Sequence, residues 1–331
     1  MIIRTTAYPR AALIGNPSDG YFGKTIAFTF SNFSARVTLY ESPELEIVPT
    51  RRDGSTFSSI SELYNDVRLF GYYGGIRLLK AAIKCFYSYC REHEIGLHDR
   101  NFTVRYDSDI PNLVGLAGSS AIITATMRAL LAFYGVTIPK PQLANLIRAV
   151  ENRELGITAG LQDRVAQVYQ GLVYMDFDRA LMDKQGFGLY EPINPKVLPP
   201  LYIAYRTDLS EGSEVVHNDL RDRFVRGEPD VLNAMTYWAD LSVQARKALE
   251  QGDWVTLGAL MNANFDKRRE ICAIGEGNLR LVETARAAGA SAKFTGSGGA
   301  IIGTYADEIV FGRLAKTFAA QNVCVFKPDL V

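Results

Sequence analysis

Three glycine-rich stretches carry the residue types that can seat an anion: GNPSDGYFGKT at 15–25, GLAGSSA at 115–121 and KFTGSGGA at 293–300. In the middle stretch, Gly115, Leu116, Ala117 and Gly118 form a loop that two glycines free to turn, and Ser119, Ser120 and Ala121 open a helical run. The N–H groups and positive dipole end of such a helix suit a phosphate. Two hydroxyls there can also touch a phosphate oxygen or a Mg²⁺ ion, although either serine can equally serve as a helix cap. Carboxylates follow at Glu151, Glu154 and Asp163, on helical segments. Taken singly, the glycines read as turns and the acids as solvated helix faces.

Two familiar nucleotide motifs fail on inspection. Gly23-Lys24-Thr25 mimics the end of a Walker A loop, but Ser18 stands where its first glycine belongs, and a strand follows instead of a helix. At 296–301 the dinucleotide fingerprint ends on Ile301 in place of glycine, again before a strand.

The elements that must position these residues read as mixed α and β. Strands are expected at AALIG, TIAFTF, ARVTLYE, NFTVRYDSDI and LVYMDF, and helices at 71–93, 119–134, 142–155 and 160–170. Beyond the Pro-rich run INPKVLPPLYIAY come a strand, two long helices near 231–250 and 253–272, a helix at 278–289, two short strands around GSGG, a helix and a last strand. The fold class is therefore α+β in two domains, 1–197 and 198–331, a division that 331 residues support.

Charge is balanced, 36 Lys+Arg against 36 Asp+Glu, so no electrostatic footprint points to nucleic acid or an anionic membrane as partner. A local basic pocket for an acidic metabolite remains compatible with that balance. Cys85, Cys90, Cys272 and Cys324 are too scattered for a disulfide framework, and His93, His98 and His217 form no metal-ligand pair. No signal-peptide pattern opens the chain and no run approaches ~18 apolar residues, so a cytoplasmic location is expected. Oligomeric state is not legible.

Here the motifs combine. Pro111-x-x-x-Gly115-Leu116-Ala117-Gly118-Ser119-Ser120-Ala121 resembles the phosphate-binding motif of the GHMP kinases, P-x-x-x-G-L-G-S-S-A, with one extra loop residue. RAALIGN, from Arg10 to Asn16, resembles their (K/R)-x-x-L-x-G-E opening with Asn16 replacing Glu, and KFTGSGG resembles their K-x-T-G-x-G-G. All three occur in the family's order. NPSDGYFGKTI, GYYGGIRLL, RELGI, AGLQDRVAQVY and GLVYMDF further resemble the glucuronokinases within that superfamily, over nearly the whole chain.

The resemblance implies an N-terminal domain like the second domain of ribosomal protein S5 and a ferredoxin-like C-terminal domain. It implies ATP and Mg²⁺, with phosphates at 115–121 and at Gly296, Ser297 and Gly298, and the metal at Ser119 and Glu151. By spacing alone Glu154 rivals Glu151. Asp163 matches the aspartate proposed as base, and Arg10 the cation that pairs with it. Asn16, Asp19 and Arg164 are expected at the substrate; for its carboxylate Lys24, Arg77 and Arg164 are unranked, and Tyr72 and Tyr73 can pack on a sugar or in the core. The implied activity is ATP-dependent phosphorylation of D-glucuronic acid at its anomeric hydroxyl. Rival expectations are a kinase of this superfamily acting on another sugar or small-molecule hydroxyl, and a catalytically silent binding homologue. The joint presence of Arg10, Ser119, Glu151 and Asp163 weighs against the last.

Overall fold

The β-branched and aromatic runs form strands and the 3.6-periodic runs form helices in a computed structural model that describes residues 1–50, 53, 58–61, 63–64, 74–207 and 213–331. In chain order come β1 (Ile2–Ala7), β2 (Arg10–Ile14), β3 (Lys24–Thr29), β4 (Ala35–Ser42), β5 (Glu46–Val48), α1 (Ile76–Glu92) and β6 (Asn101–Ser108). Next are α2 (Gly118–Tyr134), α3 (Lys140–Ala149), α4 (Gln162–Tyr169), β7 (Leu172–Asp176), α5 (Arg179–Gln185), β8 (Leu189–Ile193) and β9 (Leu201–Tyr205). The remainder are α6 (Ser213–Val225), α7 (Pro229–Gln251), α8 (Trp254–Ile271), α9 (Glu276–Ala287), β10 (Lys293–Phe294), β11 (Ala300–Thr304), α10 (Glu308–Ala319) and β12 (Cys324–Phe326). Among the described residues no helix is long and apolar enough to cross a membrane.

Packing divides the chain into two units. The first comprises residues 1–9, 33–112 and 117–168. Its sheet runs β1-β4-β6-β5, antiparallel except for the β5–β6 pair. Along β4 burial alternates, so that Ala35, Val37 and Leu39 turn inward. Helix α2 lies against β1 and β4, with α1 packed on α2. Its left-handed cap at Gly135 is the helix stop read from sequence.

One element departs from its expected course. The helix foreseen through residue 155 is α-helical only to Ala149, and Val150–Glu154 widens into a π-helical turn. Such a widening shifts the side-chain phase, and here Glu151 is buried while the next two residues, Asn152 and Arg153, are exposed.

The second unit comprises residues 10–32, 113–116 and 169–331. It holds two antiparallel four-stranded sheets, β2-β3-β7-β8 and β10-β11-β9-β12. The pairing of β3 with β7 draws residues 10–32 to the later chain. The Pro-rich run at 195–200, where the sequence suggests a division, therefore lies inside this unit. Helices α7 and α8 pack together, and α8 also covers β2, β10 and β11. Tyr202, Phe265, Leu281, Phe294, Ile301 and Phe318 form much of its core.

Strand β11 must stay close to its neighbours, because it carries the third glycine stretch into the sheet. A Cβ at Gly303 would lie 1.7 Å from the Ser291 carbonyl oxygen and 2.7 Å from the Tyr202 ring. Neither a backbone carbonyl nor a fully buried tyrosine can give way cheaply. Gly303→Ala should therefore cost about 3 kcal/mol in urea unfolding. A loss below ~1 kcal/mol would show that the strand can shift.

Candidate active site

In the second unit, Arg10 holds two glycine stretches to each other. Its Nη1 donates to the Gly115 carbonyl at 2.6 Å and to the Thr295 carbonyl at 2.9 Å. Its backbone N–H donates to Leu116 O at 3.2 Å, and that of Ala12 to Thr295 O at 2.9 Å. A Cβ at residue 296 would fall 2.5 Å from Gly115 O and 3.1 Å from the Arg10 guanidinium, so only glycine fits there. Arg268 clamps the same turn, donating from Nη1 to Gly296 O at 2.8 Å and from Nη2 to Ser297 O at 3.0 Å. Asn278 Oδ1 accepts from the Gly299 N–H at 2.9 Å. Asn16 is buried with Nδ2 3.4 Å from Gly296 O, and its Oδ1 has no hydrogen-bond partner among the described residues. Asp19 lies on the short helical turn Ser18–Tyr21, where it helps push the Tyr21 phenol up to about 12, after burial as the larger cause.

The first unit gathers the other acids and hydroxyls. Helix α2 begins behind Ala117, the extra loop residue, which adopts a left-handed conformation at φ 62°. For alanine that geometry carries about 1 kcal/mol of strain. Gly118 and Ser119 follow at the first turn, and Ser120 and Ala121 are fully buried. The two serines thereby separate in role. Ser120 Oγ donates to Gln167 Oε1 at 2.5 Å, while Gln167 Nε2 donates to Ala117 O at 3.0 Å and Tyr8 O at 3.1 Å. Helix α4 is thus pinned to the loop through Ser120. Ser119 is exposed and donates to Glu151 Oε1 at 2.8 Å.

Glu151 also accepts a short ion-paired hydrogen bond from Arg164 Nη2 at Oε2. Arg164 Nη1 lies 3.3 Å from Asp163 Oδ2. Val165 and Val168 of α4, with Leu161 just before it, form a buried stripe, and Asp163 stands off it with 19% of its side chain exposed. Glu154, the rival by spacing, turns away to Lys84 Nζ at 2.5 Å.

Ser119 and Glu151 offer two hard oxygen donors at one point, a pairing that fits Mg²⁺ held mainly by a nucleotide's phosphates and water. No cluster of three or more His, Cys, Asp or Glu able to cage a metal occurs among the described residues. Of the cations considered for a substrate carboxylate, Lys24 pairs with Asp176 and Arg164 with the two acids above. Arg77 sits in the first turn of α1, and Tyr72 and Tyr73 lie outside the described residues. Sequence reasoning missed Arg268, Gln167 and Asn278. Arg268 belongs to the charged run Lys267–Glu270, which gives no hint that one member is buried.

In the first unit a helix opens at Gly118 with a serine and a glutamate beside it, and in the second a glycine turn is locked by arginines; each arrangement suits phosphate groups. The family model for the GHMP kinases N terminal domain matches residues 77–171, and that for GHMP kinases C terminal matches 245–320. The chain belongs to the GHMP kinases. Across 305 residues it is 45% identical to Glucuronokinase 1 of Arabidopsis thaliana, covering 91% of this chain and 84% of that one. Probable glucuronokinase 2 of the same plant is 46% identical over 303 residues, with 89% and 82% covered. In fold alone, the solved phosphomevalonate kinase of Streptococcus pneumoniae is similar over all of both chains, with a TM-score of 0.74 at 14% identity.

Lys293, under the third glycine stretch, is fully buried and donates to Ala12 O and Phe294 O, both at 2.7 Å. Burial, then repulsion from Arg268 and Arg10, holds its pKa well below the ordinary 10.5. The unfolded chain therefore binds this proton more readily than the folded one. The penalty is complete below the folded pKa and disappears as pH rises toward 10.5, so stability gains with alkalinity in that window. Relative to Lys293→Met, the wild-type urea midpoint should climb as pH rises toward 10.5. Parallel profiles for the two proteins would show that Lys293 does not titrate there.

Proposed function

We propose that this chain is an ATP-dependent sugar kinase that phosphorylates D-glucuronic acid at the anomeric hydroxyl, giving glucuronic acid 1-phosphate. The observation that carries the reading is 45% identity to Glucuronokinase 1 over 91% of the chain. Both reactants are small soluble metabolites, and we assign the activity to the cytoplasm. On this reading residues 1–197 contribute the phosphate loop and the acids, and 198–331 the second glycine turn.

Phosphoryl transfer depends on positioning and on stabilising charge. The loop 115–121 and the N-terminus of α2 seat the ATP phosphates on backbone N–H groups. Gly296, Ser297 and Gly298 form a second phosphate contact, and Arg10 behind them brings positive charge to the transferring group. Ser119 and Glu151, hydrogen-bonded to each other, would hold Mg²⁺. When bound, the metal neutralises charge on the phosphate oxygens. Asn16 and Asp19 hydrogen-bond sugar hydroxyls. Asp163 takes the proton of the anomeric hydroxyl as its oxygen bonds to the γ-phosphorus, and the bond to the β-phosphate oxygen breaks to release ADP.

In a panel of free sugars with coupled ADP detection, glucuronate should exceed glucose and galactose by about 10²-fold in kcat/KM. Phosphorus NMR should place the phosphate on the anomeric oxygen. Equal activity on neutral hexoses would exclude a carboxylate-specific pocket.

Asp163→Asn preserves shape and removes charge. It should fold, bind ATP nearly as before, and lose at least ~10²-fold in kcat. If Asp163 were only a solvated helix residue, the same change would cost no more than ~0.5 kcal/mol in stability and leave kcat alone. An unchanged kcat removes Asp163 from the mechanism.

A further inference from the structure

Arg164 stands between the two acids assigned above to different tasks. Its side chain is 4% exposed, and that of Glu151 is 3% exposed. Nη2 donates to Glu151 Oε2, while Nη1 donates to Gly160 O at 3.0 Å and lies 3.3 Å from Asp163 Oδ2. Ser119 Oγ, at 2.8 Å, occupies the other Glu151 oxygen. One guanidinium is thus shared by two carboxylates in a mostly water-excluded place. A planar fork of five N–H donors can span them; an ammonium is a point charge and reaches one.

This sharing bears on any metal that takes Glu151. A divalent ion beside a carboxylate already bonded to a guanidinium meets a like charge at short range, and low local polarity strengthens that repulsion. Asp163 offers the guanidinium a second anchor that the metal does not need. We propose that Arg164 is a positioning residue that couples the two acids. With the metal absent it is shared by Glu151 and Asp163; as Mg²⁺ takes Glu151 it shifts onto Asp163 and fixes that carboxylate. Arg164 thereby weakens metal binding and speeds turnover. The inference rests on the reading of Glu151 as the metal carboxylate and Asp163 as the proton acceptor.

Loss of a purely structural ion pair would slow the enzyme and loosen the metal together. The proposed coupling moves the two in opposite directions, which makes it testable. Mn²⁺ serves as the probe, titrated into the full chain with a non-hydrolysable ATP analogue and followed by electron paramagnetic resonance of the free ion. Arg164→Met should bind Mn²⁺ about fivefold tighter or more, since coupling between sites is typically of that size. Its kcat should fall at least ~10-fold. Arg164→Lys should recover little kcat, because it cannot span both acids. Mn²⁺ binding that is unchanged or weaker in folded Arg164→Met overturns the proposal.

Glu151→Gln separates the two layers of the argument. If it leaves Mn²⁺ affinity intact, the metal assignment fails and the coupling falls with it. If it weakens Mn²⁺ binding while the Arg164 variants do not tighten it, the coupling alone is wrong. Should neither Arg164 variant fold, the wild-type chain decides the matter. Crystallised with Mg²⁺ and the analogue, it should show the Arg164–Glu151 separation beyond about 3.5 Å with the Asp163 contact kept. A guanidinium still hydrogen-bonded to Glu151 would refute the shift.

Discussion

Buried guanidinium groups whose partners are backbone carbonyls are the constraint on which the second unit depends. A buried charge is tolerated only with strong partners, and Arg10 and Arg268 find theirs on the carbonyls of residues 115, 295, 296 and 297. The backbone must approach each guanidinium closely, which excludes a Cβ at 296 and accounts for glycine there. Asn264 extends the arrangement, accepting from the Gly15 N–H at 2.7 Å and donating to Asn16 O at 3.0 Å. The first and third glycine stretches are therefore held by side chains from β2 and α8, elements far apart in sequence.

The first unit solves a related problem with neutral groups. Gln167 binds the carbonyls of Tyr8 and Ala117 as well as the Ser120 hydroxyl, and its own carbonyl accepts from Arg128 Nη2 at 2.7 Å. That network fixes where α4 begins and hence where Asp163 and Arg164 stand. It also consumes Ser120, leaving Ser119 as the hydroxyl that meets both solvent and Glu151. The π-helical turn completes the arrangement by turning Glu151 toward Ser119 and Glu154 toward Lys84.

Opposing charges in this kinase are thus handled in two ways. Around the glycine turns, the guanidinium groups of Arg10 and Arg268 donate to backbone carbonyls, a setting whose positive charge suits a polyanion. Near Ser119, two carboxylates share one guanidinium.

Much of this was legible in the amino-acid sequence. Period and turn chemistry marked β2, β3, β4, β6 and β7, the long helices α2, α7 and α8, and the glycine stretches, because local propensity and packing agree there. Motif order marked the family. Strands β1, β5 and β8 gave little signal: β1 has one buried residue in six, β5 has three residues and β8 contains Pro192. The tertiary structure alone decided which of Ser119 and Ser120 faces solvent, which of Glu151 and Glu154 turns inward, and that Arg164 pairs with both Glu151 and Asp163. It also decided that Arg268, one charge in a charged run, is buried. The reason is physical: a side chain's type is written in the sequence, but its desolvation and its partners come from segments that meet only on folding.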